Sequence, residues 1–308
     1  MNAQRTQFSD GRWHFQHGPM DIVIGADGNP AAVATAHADA WIRFKEILNE
    51  LVQELPALRR PVSGTNQDCP VQGPVAKRMW HACLPYHRGF ITPMASVAGA
   101  VAQELLGFYA ASGITRAWVN NGGDIALHLA PGQSVNIGLY ADLSCLNADE
   151  IVNGIRTDGQ FEVSSLFPVR GVATSGWRGR SFSLGIADSV TVLAQTASQA
   201  DAAATVIANA VDVADSRIVR KPACELKDDT DLGGIPVTVD VPPLDADLVQ
   251  RALRTGLRRA QELRAAGLIW SAVLVCQNQT LTTNRTSETR MTALKKITAE
   301  NQVGSVFA

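Results

Sequence analysis

Four short segments of this 308-residue chain combine side chains that could bind a metal ion or a small ligand. In the segment nearest the C-terminus, Asp201 and Thr205 stand four residues apart in the alanine-rich run 197–213, which predicts a helix. Residues at this spacing share a helix face, so a carboxylate and a hydroxyl point the same way. Such oxygen donors suit Mg²⁺. Alternatively, the aspartate caps the helix and the threonine bonds back to its backbone.

A second segment, Asn-Asn-Gly-Gly-Asp at 120–124, lies between two apolar runs. Glycines turn backbone amides outward and let a ligand approach without meeting a Cβ atom. Asp124 then offers a carboxylate to a hydroxyl, an amide or a metal ion. The alternative is an ordinary hairpin turn, because Asn-Gly between apolar runs predicts strand, turn and strand over 118–129.

A third segment joins hydroxyls, glycines and two arginines. Thr-Ser-Gly at 174–176 is followed by Arg178 and Arg180, and guanidinium groups and hydroxyls can hold phosphate oxygens. Ser175 is a candidate nucleophile, but no Gly-x-Ser-x-Gly elbow surrounds it and no histidine is near in sequence. A plain loop remains the alternative interpretation.

The fourth segment, Thr-Pro-Met-Ala-Ser-Val-Ala-Gly-Ala at 92–100, opens a predicted helix whose small residues allow another backbone to pack closely. Other predicted helices cover 31–55, 197–213 and 245–266; in the first, Asn29-Pro30 marks the start and Pro56 the end. Predicted strands cover 118–129, 134–140, 185–194 and 268–276. Runs of strands with helices between them favour a layered α+β domain over 1–277, with a polar C-terminal appendage at 278–308.

The amino-acid composition of the chain limits the kinds of binding partner that we expect. The chain is 46% apolar, with 27 basic and 29 acidic residues, which predicts a globular protein that binds neither nucleic acid nor an anionic membrane. The first residues lack an apolar signal core, no long apolar run appears, and the five cysteines are scattered. We therefore expect a cytoplasmic protein whose partner is a small molecule, and leave a homo-oligomer open.

Taken in chain order, from 92–100 through 120–124 and 174–180 to Asp201 and Thr205, the four segments resemble the ApbE superfamily, and more narrowly its uncharacterised cytoplasmic branch, from about residue 10 to about residue 278. The better-known members are Mg²⁺-dependent FAD:protein FMN transferases. The resemblance implies that Mg²⁺ binds Asp201 and Thr205, helped by a backbone carbonyl near Ala98. The predicted ligand contacts, FAD being the leading ligand, are Ala98, Gly122, Gly123, Asp124, Thr174, Ser175, Gly176 and Arg178. The candidate catalytic residues are Asp124, Ser175 and Asp188.

The chain departs from the transferases at two places. Ala98 stands where they carry a lysine before glycine, and Ser-Leu-Gly-Ile-Ala-Asp at 183–188 replaces their His-Ile-x-Asp-Pro segment. No histidine follows His128. The leading expectation is FMN transfer or pyrophosphate hydrolysis. Two alternatives stay open: a hydrolase or ring-opening enzyme that uses the scaffold without a flavin, and a non-catalytic flavin-binding module.

Overall fold

A nine-stranded sheet forms the centre of the protein in the computed structural model, which describes residues 2–64, 68–139, 159–283 and 305–307. Neighbouring strands run antiparallel throughout this sheet. In spatial order they are β1 (Gln4–Gln7), β2 (Trp13–His17), β3 (Met20–Gly28), β4 (Ile114–Asn121), β5 (Asp124–Leu129), β8 (Gly171–Ser175), β9 (Ser189–Ala194), β12 (Ser271–Cys276) and β13 (Gln279–Thr282).

Two smaller sheets and five α-helices complete the described elements. One small sheet pairs β10 with β11, and the other has the order β14, β6, β7. The strands are β6 (Ser134–Leu139), β7 (Gly159–Ser164), β10 (Val219–Pro222), β11 (Pro236–Asp240) and β14 (Ser305–Phe307). The helices are α1 (Pro30–Leu58), α2 (Pro74–Cys83), α3 (Val97–Leu106), α4 (Ala197–Ala210) and α5 (Ala246–Ala265).

The central sheet separates two apolar cores. Along β5, Ile125 and Leu127 face a core shared with β6 and β7, whereas Ala126 between them faces the core built by the helices. This alternation is the period of two that a strand imposes on its side chains. The layers are helices, the large sheet and a small sheet, which confirms the predicted α+β class.

Helix α1 begins as predicted but ends later. The Asn29 side chain accepts hydrogen bonds from the amides of Ala31 and Ala32, and Pro30 is the first helical residue. The prediction that Pro56 stops the helix is wrong, because the helix continues to Leu58. A proline in the last turn removes one donor only, and the wholly buried Leu58 holds that turn against the core.

The helix after Thr92 is shorter than predicted. Residues Pro93–Ser96 form a 3₁₀ turn, and α3 follows it and ends at Leu106. Gly113, which the sequence suggests as a left-handed cap for this helix, has a φ of +91°, but it leads into β4 and does not cap α3. A second 3₁₀ turn, Gly107–Tyr109, intervenes and is anchored by the wholly buried Tyr109.

The boundary between domain and appendage stays a prediction. The first residues beyond residue 277 form β13, the edge strand of the central sheet. Among the residues that the structure describes, no helix has both the length and the apolarity needed to cross a membrane.

Candidate functional site

Two carboxylates from separate segments of the sequence, Asp124 and Asp201, meet between the sheet and α4. Asp124 begins β5, directly after the turn at Gly122 and Gly123, and is only 8% exposed. Asp201 lies on α4; the residue as a whole is half-buried but its carboxyl group is enclosed. The two groups are close enough for the charge of Asp201 to raise the pKa of Asp124.

The N-terminal end of α3 fixes the position of Asp201. The backbone amide of Gly99 donates to Oδ2 of Asp201 at 2.9 Å. A Cβ atom on Gly99 would lie 2.4 Å from the carbonyl oxygen of Ala197, so only glycine lets α3 and α4 approach this closely. The small residues of the 92–100 segment therefore place an amide donor on the carboxylate.

Backbone groups also position Asp124 and its surroundings. The amide of Thr174 on β8 donates to Oδ1 of Asp124 at 3.3 Å. Nearby, Nδ2 of Asn121 donates to the carbonyl oxygen of Ala98 at 3.2 Å, which links the hairpin to the start of α3. Sequence reasoning did not single out Asn121, although its place beside the double glycine was a usable signal.

Among the described residues, no basic side chain neutralises the charge of the carboxylate pair. Burial raises the pKa of Asp201 to about 7, against the lowering effect of the Gly99 and Ala98 amides. Burial, and then the charge of Asp201, raise the pKa of Asp124 well above its ordinary value, and the opposing group is the Thr174 amide. A buried pair of this kind must bind a proton or a cation to be stable.

The donor set fits a hard divalent cation. Asp124 and Asp201 supply carboxylate oxygens, and the hydroxyl of Thr205 is one helical turn along α4 from Asp201. Within the described part of the chain, no group of three or more His, Cys, Asp or Glu side chains could hold a metal. A metal here would need further oxygens from water or from a ligand, as is usual for Mg²⁺.

The Thr-Ser-Gly turn lies beside this pair but is partly used in packing. The Thr174 hydroxyl bonds to the hydroxyl of Thr191 at 2.9 Å. A Cβ atom on Gly176 would lie 2.2 Å from the carbonyl oxygen of Asp188, so this glycine allows two chain segments to meet. Ser175 is half-buried at the end of β8.

Asp188 and Arg178 are engaged with each other away from the carboxylate pair. Oδ1 of Asp188 accepts from the Trp177 indole nitrogen and pairs with Nε of Arg178, both at 3.3 Å. Its Oδ2 accepts from the amide of Gln277, in the bend between β12 and β13. The predicted catalytic role of Asp188 and ligand-binding role of Arg178 stay predictions, and these contacts favour a structural role.

The chain has curated relatives among archaeal proteins. A UPF0280 protein from Methanothermobacter thermautotrophicus is 40% identical over 159 residues, which are 51% of this chain and 57% of that protein. A UPF0280 protein from Methanopyrus kandleri is 36% identical over 213 residues, which are 68% of this chain and 78% of that protein. The chain thus spans little more than half the length of the first relative.

Solved structures and a family model also match. The flavin transferase ApbE from Vibrio cholerae aligns with 92% of this chain and 98% of its own, at 11% identity and a TM-score of 0.44. The ApbE protein from Thermotoga maritima aligns with 92% and 96%, at 12% identity and a TM-score of 0.44. A family model described as "AbpE bacteria" matches residues 5–286. Because this match covers most of the chain, the protein belongs to that bacterial ApbE-like family.

Proposed function

We propose that this protein is a Mg²⁺-dependent enzyme that acts on a phosphate-bearing small molecule at the Asp124–Asp201 pair, with FAD as the first candidate ligand. The observation that carries the proposal is the buried dicarboxylate beside the double-glycine turn, which receives only backbone amides from the described residues. Family membership supports the choice of FAD, because the motifs shared with the transferases include the residues of this pair.

Each residue of the site has a separate task in this proposal. Asp124, Asp201 and Thr205 hold the cation, which when bound neutralises phosphate oxygens and makes the phosphorus open to attack. The amides of Gly99 and Thr174 keep the two carboxylates aimed at one point. Glycine at 122 and 123, with φ of +66° and +108°, adds no Cβ atom at the turn beside the pair.

Two outcomes of the chemistry are open within the proposal. FMN transfer would join the phosphate of FMN to a hydroxyl of an acceptor protein and release AMP, whereas hydrolysis would release FMN and AMP. The chain has no histidine after His128, so the histidine that assists the transferases is missing from its usual segment. Water and an acceptor hydroxyl are therefore both candidate nucleophiles, and the experiment must detect both products.

The test is to incubate the purified protein with FAD in Mg²⁺ or in EDTA. Free FMN and AMP are separated by chromatography, and flavin attached to a threonine-containing acceptor peptide is detected by fluorescence after denaturation. We expect Mg²⁺-dependent product that is lost in Asp201→Asn. Asp39→Asn is the matched control, since Asp39 is exposed on α1, and it should behave as wild type.

The proposal fails in its flavin form if FAD neither binds nor reacts in Mg²⁺. Mass spectrometry of a co-purifying ligand that contains phosphate but no isoalloxazine ring would redirect the proposal to a flavin-free hydrolase. Flavin binding without product, equal in Mg²⁺ and EDTA, would instead indicate a binding module.

A further inference from the structure

The geometry points to Arg180 as the residue that binds the second phosphate of a ligand whose first phosphate meets the cation at the Asp124–Asp201 pair. This inference rests on the proposed function, because it assumes that a cation and a phosphate meet at the Asp124–Asp201 pair. The sequence pattern offered both Arg178 and Arg180 for binding an anion, and the contacts of the two side chains separate them.

The first observation is where the guanidinium of Arg180 lies. Its Nη1 is 3.4 Å from the point where a Cβ atom of Gly122 would stand, so the guanidinium borders the double-glycine turn. Gly122 has a φ of +66°, in the left-handed region that favours glycine. Two residues further along the chain, Asp124 enters the buried pair. Arg180 is therefore the basic side chain at the entrance beside this turn.

The second observation separates the two arginines of the loop. Arg178 is paired with Asp188 at 3.3 Å, and its guanidinium lies 5.0 Å from the centre of the Trp177 ring. Arg180 is exposed, and in the described ranges it forms no ion pair. One arginine thus fastens the loop to the hairpin of β12 and β13, while the other keeps its hydrogen-bond donors for an incoming anion.

The third observation is the separation of charges across the turn. Among the described residues, no hydrogen bond or ion pair joins Arg180 to Asp124 or Asp201, so its guanidinium stands apart from the pair. A ligand must then meet two requirements. It must supply one anionic group to a cation held by the carboxylates, and a second anionic group to the guanidinium. Two linked phosphates meet both, and a guanidinium binds a phosphate through two parallel hydrogen bonds.

The test measures binding of inorganic pyrophosphate and of inorganic phosphate by calorimetry in Mg²⁺. We expect wild type to prefer pyrophosphate, and Arg180→Gln to bind it about 10- to 100-fold more weakly, as expected for the loss of charge-assisted hydrogen bonds. Affinity for phosphate should change little. Arg180→Lys should recover part of the loss, because it restores the charge but not the paired bonds.

Matched measurements keep the result interpretable. Arg254→Gln, an exposed arginine of α5, should leave pyrophosphate binding unchanged, and thermal unfolding of each variant reports whether it folds. The inference is overturned if Arg180→Gln binds pyrophosphate as wild type does while Asp201→Asn does not; the proposed function then stands. If wild type binds neither pyrophosphate nor FAD in Mg²⁺, both fall.

Discussion

Helix α3 touches two buried acidic sites that are neutralised in opposite ways. Near its C-terminal end, Glu104 accepts hydrogen bonds from Arg43 and Arg78, each at 2.8 Å. Burial raises the pKa of Glu104, but these two guanidinium groups outweigh burial, and the net pKa is lowered. At the N-terminal end, Asp201 receives only backbone amides and faces Asp124, and both pKa values are raised.

The opposite pKa shifts distinguish an acidic residue that stabilises the fold, Glu104, from one that is suited to binding a ligand, Asp201. At Glu104 the guanidinium groups already neutralise the carboxylate, so an added cation would not stabilise it further. Two carboxylates enclosed together repel each other, so a bound cation stabilises them most. Carboxyl groups with such strongly raised pKa values are typical of functional sites. Four predictions follow from the contrast, in order of decreasing size.

The largest effect is expected on ligand binding in Asp201→Asn. The amide keeps the shape of the side chain but removes the charge that a divalent cation requires, so Mg²⁺-dependent binding should fall at least about 100-fold. Calorimetry with Mg²⁺ and pyrophosphate measures it. Glu104→Gln should bind Mg²⁺ and pyrophosphate as wild type does. Equal losses in the two variants would contradict the proposed difference between Glu104 and Asp201.

The second effect is a loss of stability in Glu104→Gln. Removing the acid takes away the carboxylate that Arg78 pairs with, while Arg43 keeps Glu50, so the change should cost about 2 kcal/mol of the free energy of unfolding. Urea denaturation measures it. Glu46→Gln is the control: Glu46 is exposed and 3.6 Å from Arg43, so the change should stay below about 0.5 kcal/mol.

The third effect concerns the close approach of α3 and α4. In Gly99→Ala the new methyl group would overlap the carbonyl oxygen of Ala197, which should cost roughly 1–3 kcal/mol and move the amide off Asp201. Denaturation and Mg²⁺ calorimetry should both report the change. Gly107→Ala should be harmless, because no other atom lies within 4 Å of its Cβ position and its φ of −52° is helical.

The smallest effect is the dependence of stability on pH. Because the folded-state pKa of Asp201 is raised from 3.8 to about 7, the folded protein binds the extra proton in that window, and stability falls as pH rises from about 4 to about 7. Glu104 has a lowered pKa, so its contribution is present above its ordinary value of 4.5 and lost in more acidic solution.

We expect the Asp201 effect to reach roughly 1 kcal/mol, since water penetration and relaxation reduce the cost of buried charge. Thermal melts in EDTA across this pH range should show the slope in wild type and a weaker slope in Asp201→Asn. An unchanged slope in the variant would mean that another group is responsible.

Local sequence signals predicted much of the fold. Asn29-Pro30 identified the start of α1, and the double glycine identified the β4–β5 hairpin, because cap and turn geometry depend on neighbouring residues only. The end of α1 was missed because the burial of Leu58 is a tertiary effect. The late start of α3 after a 3₁₀ turn was missed as well.

The site could be predicted only in its parts. The sequence suggested Asp124 and Asp201 separately, but their mutual approach depends on Gly99 meeting Ala197 across two helices. The different fates of Arg178 and Arg180 depend on where Asp188 and Gly122 lie in three dimensions. No spacing between neighbouring residues carries that information.

Proton release on Mg²⁺ binding tests the central claim most directly. Calorimetry of Mg²⁺ at about pH 6, in two buffers with different ionisation enthalpies, counts the protons expelled as the cation binds. Because the pKa of Asp201 is raised to about 7, this residue holds a proton at about pH 6, and we predict release in wild type and none in the Asp124→Asn/Asp201→Asn double variant. Mg²⁺ binding without proton release, or equal binding by the double variant, would show that the cation does not bind between these two carboxylates.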